Sequence, residues 1–552
     1  MIERLLENWL TNTHERAYMV SFCQLLLSKG YSLLYISPHG MEEAGKDIIT
    51  RNKQGKLEAF QLKTGDIGLA EWRSIFGEIE ELIKQPIQHP SVQKTEKFQC
   101  FIVTNGRIKD PVRTRITEQN NVNWREKRKT ELKYIDRDQL LADYLANYGK
   151  FIPTELNDFK SFLEFYLADG SDMFPKEKFT DFLLNFFSLN STIPTTSKAT
   201  NLIASSVIIT SYCLHPWSVK KNYIAEIEGW VCLMASILGL VTKTNLDKKY
   251  WQSSLQLVEQ AIEAQLSELL NELRKRKHLV EGNWPTDGIV YSARTSLVLG
   301  FISAYPLYRQ LKKEVLDVDT EKEIVNLSVS FENKMQFWGE SCLPLFFSYY
   351  WLNEKYRRIV PAVTRLAELF RALVDTKTYP EPNGWPNPYY GIEQSLRLLT
   401  DFDKSKEYFC GQPYSLMTLI ETVTRRNARK FLESNWRRIS HIQHLEFVPE
   451  FKWQFFLWKS PTGVLTSIFP NQTQSWKELR KQSFSEEYGR LPEILIENPH
   501  LLLLFTIVYP HRFTSEVALL LENNLSPQLI QAYKQETSPT TSEVIPSEVS
   551  SK

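Results

Sequence analysis

The feature that most constrains this chain is a hairpin-shaped pattern between residues 47 and 63. Asp47-Ile48-Ile49 opens a short apolar run, Asn52-Lys53-Gln54-Gly55 is a polar turn, and Leu57-Glu58-Ala59-Phe60-Gln61-Leu62-Lys63 forms a second run. Two β-prone runs joined by a turn that ends in glycine read as a β-hairpin, with Gly55 where a positive φ is needed. Side chains alternate along a strand, so Gln61 and Lys63 share one face and Leu62 takes the other. The hairpin therefore gathers a carboxylate, an amide oxygen and an ammonium at one spot.

Those three groups suit Mg²⁺-dependent phosphodiester chemistry. Mg²⁺ takes oxygen ligands, keeps several waters, and uses one or two carboxylates together with substrate phosphate oxygens. Asp47 is the expected ligand, Gln61 offers a neutral oxygen, and the Leu62 carbonyl is within reach of the same position. Lys63 cannot bind a cation, but it can neutralise charge developing on a phosphate or orient the attacking water. Taken singly these residues prove little. Q-x-K is a common triplet, and Asp47 beside Lys46 reads equally as a surface ion pair of small worth. The order of the flanking elements separates the two readings.

Upstream, Glu15 to Lys29 carries Ala17, Val20, Phe22, Leu25 and Leu26 at helical spacing, and Tyr31 to Ile36 reads as a first strand. Downstream, Leu69 to Lys84 reads as a helix, Phe98 to Thr104 as an apolar strand ending in Asn105-Gly106, Leu132 to Ile135 as a last strand, and Gln139 to Tyr148 as a closing helix. With the hairpin, this order resembles the PD-(D/E)xK nuclease superfamily, and within it the Mrr-like restriction endonuclease domain in its Q-x-K variant. The resemblance covers about the first 150 residues. It implies an α/β restriction-endonuclease-like domain, a mixed sheet flanked by helices. It makes Asp47, Gln61 and Lys63 catalytic, with Asp47 and Gln61 on the metal, and places Glu15 on a helix that faces the metal. Glu43 and His39 are further candidates, and Glu42 lies beside them. Mg²⁺ is the implied cofactor, with Mn²⁺ able to substitute. Gln61 departs from the commoner acidic residue, so metal affinity rests more heavily on Asp47.

The formal net charge is +1, so bulk charge does not argue for a nucleic-acid partner and a local patch must. Residues 107–133 hold nine lysines and arginines against four acids. Arg113, Arg115, Lys127, Arg128 and Lys129 are the candidates there for gripping a phosphate backbone. Six scattered cysteines show no C-x-x-C spacing and suit buried thiols in a reducing cytoplasm. The apolar runs at residues 230–241 and 501–509 are too short to span a bilayer, and no membrane partner is expected.

A chain of 552 residues exceeds one core. Residues 151–535 read as a mainly α-helical sensor or interaction region, and 536–552, rich in Ser, Thr, Pro and Glu, as a disordered tail. The clearest helix is residues 251–278, with a leucine-rich stripe and a cationic end. Gly282-Asn283-Trp284-Pro285 and Asn383-Gly384-Trp385-Pro386 look like traces of a repeat, and His441 and His444 stand at i, i+3 spacing. The expected function is a Mg²⁺-dependent endonuclease acting on double-stranded DNA. The resemblance implies a bacterial restriction or anti-phage setting with defence-system partner proteins. A homodimer or larger assembly is expected, since one chain offers one site. RNA or branched DNA is an alternative substrate. A catalytically inactive nucleic-acid-binding scaffold is the alternative from another class. Residues 1–150 are long enough to fold alone.

Overall fold

The computed structural model describes residues 2–533 with breaks, the longest at 38–44, 148–155, 276–287, 372–385 and 396–412; 534–552 lie outside it. The expected tail and both Trp-Pro loops up to Trp385 therefore fall outside the described residues, as do His39, Glu42, Glu43, Lys127, Arg128 and Lys129. The chain divides into two compact units. The first comprises Met1–Leu279 with Pro449–Leu465, and the second Val280–Val448 with Thr466–Lys552.

The first unit is built on a mixed five-stranded sheet in sequential order, β1(Ser32–Ile36), β2(Ile48–Arg51), β3(Leu57–Lys63), β4(Phe98–Thr104) and β5(Leu132–Ile135). The β1/β2 and β2/β3 pairs are antiparallel; β3/β4 and β4/β5 are parallel. Helices α1(Ile2–Asn12) and α2(Glu15–Ser28) precede the sheet. The crossover helices α3(Leu69–Lys84) and α4(Asp110–Arg125) make the parallel pairs possible. The hairpin closes as expected: Gly55 has φ of +75°, its N–H donates to the Asn52 carbonyl, and the Asn52 N–H donates to the Lys56 carbonyl.

β3 is the central strand and is covered on both faces. Leu57 and Ala59 join Ile49, Cys100, Ile102 and Leu132 in a core closed by Trp72, Ile79, Leu82 and Ile83 of α3 and Val112 and Ile116 of α4. Phe60, on the opposite face, meets Phe22 of α2 edge to face, with ring centroids 5.5 Å apart. Gln61 and Lys63 thus point toward α3, and the α2 face receives the intervening residues.

The reading of α2 as amphipathic needs correction. Tyr18 to Leu26 are buried without interruption, including Ser21 and Gln24. The reason is a second cover. After α5(Arg137–Asn147), α6(Leu156–Tyr166) and α7(Lys176–Phe186) come three long helices: α8(Thr196–Val219), α9(Tyr223–Thr244) and α10(Gln252–Lys275). Of these, α8 and α10 pack on the back of α2. Ser254 Oγ of α10 donates to Gln24 Oε1 at 3.2 Å, and Trp9 of α1 meets Tyr212 of α8 at 4.4 Å. The leucine stripe expected in residues 251–278 is spent here, with Leu255, Val258, Ile262, Leu266 and Leu270 buried within the unit. Helices α8 and α9, at 24 and 22 residues, are long and apolar enough to cross a membrane by length and composition. The helix around the 230–241 run is thus longer than that run, and its residues Ala225 to Val241 are all buried in the unit.

The second unit contains α11(Gly288–Leu311), α12(Val318–Phe331), α13(Leu343–Lys355), α14(Leu416–Arg425), α15(Arg429–Ile439), β6(His444–Phe447), β7(Thr466–Phe469), α16(Trp476–Ser485), α17(Glu493–Glu497), α18(Pro499–Val508) and α19(Ser515–Leu525). It is mostly helical, as expected, except for the antiparallel β6–β7 pair. That pair breaks the helical histidine reading: His444 lies in β6, and His441 is in the turn after α15.

Cutting the chain after residue 150 would strip α8 and α10 from α2. The fragment 1–150 is expected to bind a hydrophobic dye and melt without a sharp transition, whereas the full chain melts cooperatively. A soluble fragment with a sharp calorimetric transition would show that the sheet and α1–α5 suffice.

Candidate active site

The hairpin register brings the expected residues together. Ile48 pairs with Phe60 and Ile49 with Ala59, so Asp47, one residue before β2, falls opposite Gln61. The Asp47 N–H donates to the Phe60 carbonyl at 2.9 Å, and Asp47 Oδ2 accepts from the Leu62 N–H at 2.5 Å. The strand backbone thus fixes both the main chain and the carboxylate of Asp47. Asp47 is 3% exposed and Gln61 5%, so both oxygens stand in a place that bulk water barely reaches.

Lys63 ends β3 and turns toward α3. Its Nζ lies 2.5 Å from Glu78 Oε2, and Gln61 Nε2 donates to the same oxygen at 3.4 Å. Donating its amide N–H to Glu78 leaves Gln61 Oε1 buried with no hydrogen-bond partner. A buried acceptor with no donor is costly to keep, on the order of 1–3 kcal/mol. The site therefore holds an unmet demand for a positive or hydrogen-donating group beside Asp47.

Glu78 is the residue that sequence reading missed. A signal was present: Glu78 stands three residues after Ile75 and four before Leu82, which puts an acid in line with the apolar stripe of α3. Glu15 opens α2, and Tyr18, one turn on, joins it to the site. Burial pushes the Tyr18 hydroxyl well above its ordinary range, and the Glu15 and Asp47 carboxylates add to that push. The hydroxyl donates to the Lys63 carbonyl at 2.8 Å. Cys23, five residues beyond Tyr18, is raised in the same way by burial and then by Asp47. Tyr18 thus ties α2 to the backbone at the end of β3, while the Gln61 and Lys63 side chains take the α3 face.

Lys46 is buried on the α3 side, where its Nζ donates to the Glu81 carbonyl at 3.3 Å and desolvation lowers its pKa to about 8. It braces the strand entry rather than pairing with Asp47 at the surface. Gly45 allows this approach: it has φ of +69°, and a Cβ there would stand 2.4 Å from the Glu78 carbonyl oxygen and 2.8 Å from the Leu82 nitrogen.

The expected phosphate-gripping residues on α4 that fall within the described residues, Arg113 and Arg115, each have an acidic partner yet stay exposed at the surface. Arg113 binds the Ile108 carbonyl and pairs with Asp136 at 3.2 Å while lying over the Tyr134 ring; Arg115 pairs with Glu118 at 2.9 Å.

Among the described residues, no three His, Cys, Asp or Glu side chains cluster closely enough to hold a metal by themselves. The donor set present is one carboxylate and one neutral amide oxygen. It suits a hard cation that retains waters and takes phosphate oxygens from its substrate, and the unpartnered Gln61 Oε1 is the atom such a cation would satisfy.

The chain matches no family model, and comparison with curated proteins and with solved structures gave no significant match.

Gly45→Ala is expected to destabilise the protein by more than about 1–2 kcal/mol, because the left-handed backbone and the α3 main chain both oppose a Cβ. Thermal denaturation measures this, and an unshifted melting temperature would show that the loop before Asp47 is free to move off α3. Glu78→Gln is expected to leave the fold intact and loosen Lys63, since the fixed acceptor charge is lost. Lys63 Nζ chemical shifts by NMR, broadened or shifted in the variant, provide the check.

Proposed function

We propose that the protein is a Mg²⁺-dependent endonuclease of the PD-(D/E)xK type, its N-terminal sheet being an Mrr-like restriction-endonuclease domain. The observation that carries this reading is the buried, unpartnered Gln61 Oε1 set opposite Asp47 on the face that also presents Lys63. The resemblance in element order and the Q-x-K triplet support it. Asp47 and Gln61 would hold the cation, with Glu15 near enough to add charge. When bound, Mg²⁺ supplies Lewis-acid polarisation of the phosphate and a more acidic water.

The chain's own residues account for the rest. The Leu62 N–H keeps the Asp47 carboxylate from rotating. Lys63 presents its ammonium to charge developing on the scissile phosphate, a term worth several kcal/mol in a dry, preorganised site. Glu78 holds that ammonium in place until the phosphate, a stronger anion, competes for it. The substrate is duplex DNA, and the helical remainder decides when or what the domain cuts. The setting that fits such a pairing is bacterial restriction or anti-phage defence. Cutting both strands at one place takes two such sites, so the active species is a dimer or a larger assembly.

Supercoiled plasmid incubated with the full chain is expected to be cut with Mg²⁺ or Mn²⁺ and left intact with chelator. Asp47→Ala is expected to abolish cutting, and Lys63→Ala to slow it by about 10²–10³-fold, the range seen when one charge-stabilising donor is removed. Gln61→Glu is expected to keep activity and tighten Mg²⁺ binding in calorimetry. Near-normal cleavage by Asp47→Ala would overturn the assignment. An inert wild type that also fails to bind Mg²⁺ would favour the scaffold reading.

A further inference from the structure

The second unit carries a cationic surface that its fold does not require. Helix α15 buries Leu432 and Ile439 and exposes Arg429, Lys430, Glu433, Ser434, Arg437 and Arg438. Glu433 is the one acid within α15, and it is taken by Arg429 at 2.7 Å. Lys430 and Arg437 make no ion pair among the described residues. Seven residues separate them, so they stand on one stripe about 10 Å apart at 1.5 Å per residue.

Helix stability explains only half of this surface. Cations in the last turn, Arg437 and Arg438, complement the helix dipole. Cations in the first turn oppose it, each by about 0.3–1 kcal/mol. Arg429 and Lys430 occupy that first turn, behind Ala428, whose side chain offers no cap. Arg429 is compensated by Glu433, whereas Lys430 is not. On the first unit, Arg113 and Arg115 of α4 each have an acidic partner, Asp136 and Glu118.

We propose that the exposed face of α15 docks the phosphate backbone of duplex DNA, with Lys430 and Arg437 as its main anchors. A polyanion with charges every few ångströms along its length can meet both ends of a cation stripe about 10 Å long. Phosphate at the first turn also removes the dipole penalty on Lys430. Pairings of this kind position the duplex without reading its sequence. The inference rests on the nuclease reading and deepens it by naming a second surface that holds the substrate.

The test uses the full chain in excess chelator, so that binding is read without cleavage. Fluorescence anisotropy follows a labelled duplex of about 25 base pairs across about 50–200 mM salt. Lys430→Glu with Arg437→Glu is expected to weaken binding at least tenfold. The slope of log affinity against log salt should fall by about 1.8, since each phosphate that a cation neutralises contributes about 0.9. Lys430→Gln with Arg437→Gln should give a smaller loss with the same change in slope, and it serves as the deciding variant if the glutamate pair alters the thermal melt. Unchanged affinity and slope would overturn the proposal, as would a loss of affinity with no change in slope. Failure of the wild type to bind duplex would also overturn it. So would variants that keep duplex binding but lose binding to vesicles rich in phosphatidylserine, which would make α15 a membrane-surface helix. Mg²⁺-dependent plasmid cutting reports on the nuclease reading separately. Cutting without α15-dependent binding sinks this inference alone; α15-dependent binding without cutting sinks the nuclease alone.

Discussion

The candidate site depends on the antiparallel pairing of β2 with β3. That pairing sets Asp47 against Gln61, lets the Leu62 N–H grip the Asp47 carboxylate, and sends Gln61 and Lys63 to the α3 side. A one-residue slip would invert the arrangement, carrying Gln61 and Lys63 into the apolar layer under α2 and Phe60 out of it. Register is held from both sides. Ile49, Leu57 and Ala59 are committed to the α3–α4 core, and Phe60 is committed to Phe22. Burial of the strand on both faces therefore acts as the positioning device for the polar groups at its end.

The same logic explains why polar atoms survive in so dry a place. Asp47 and Gln61 are as buried as core residues, yet one is satisfied by a backbone N–H and the other is left with an open acceptor. Folding alone would replace such an atom or pair it. It stands beside a fixed carboxylate and a lysine held by Glu78, while Thr50 Oγ1 and Glu58 Oε2 are further unpartnered atoms of the same sheet.

The second unit solves a different problem with charge. Arg425 and Glu522 are essentially unexposed, and Arg425 Nε donates to Glu522 Oε2 at 2.7 Å. Arg426 bridges Glu522 and Glu354, and Ser526 Oγ donates to Glu354 at 2.8 Å. Opposite charges hold the Glu522 carboxyl below its usual range in spite of burial. Removing Glu522 would leave the fully buried Arg425 with only Glu421 at 3.5 Å, and stranding a buried charge costs about 3–5 kcal/mol. The network ties α13, α14 and α19 in one arrangement. A second buried acid, Glu340, is met by backbone donors instead, with the Tyr414 and Ser415 N–H groups at 2.6–3.1 Å, and burial still raises it to about 7.

Local chemistry was enough to locate the strands and helices of the N-terminal sheet. The expected helix 69–84 and the strands 98–104 and 132–135 coincide with α3, β4 and β5, because apolar periodicity and glycine placement act over a few residues. The same locality put Asp47, Gln61 and Lys63 on one hairpin. Neighbours distant in sequence were beyond its reach. The burial of α2 on its second face comes from α8 and α10, more than 150 residues away, and the β6–β7 pair joins strands whose four-residue runs carry too little pattern of their own. Glu78 became part of the site only when α3 folded back over β3, and Arg113 of α4 gained its partner Asp136 only when β5 came beside it. Sequence by itself determined which residues can form strands, helices and a polar hairpin, since those preferences are local. Tertiary structure decided which charges are neutralised and which acceptor is left open, since that depends on what packs against them.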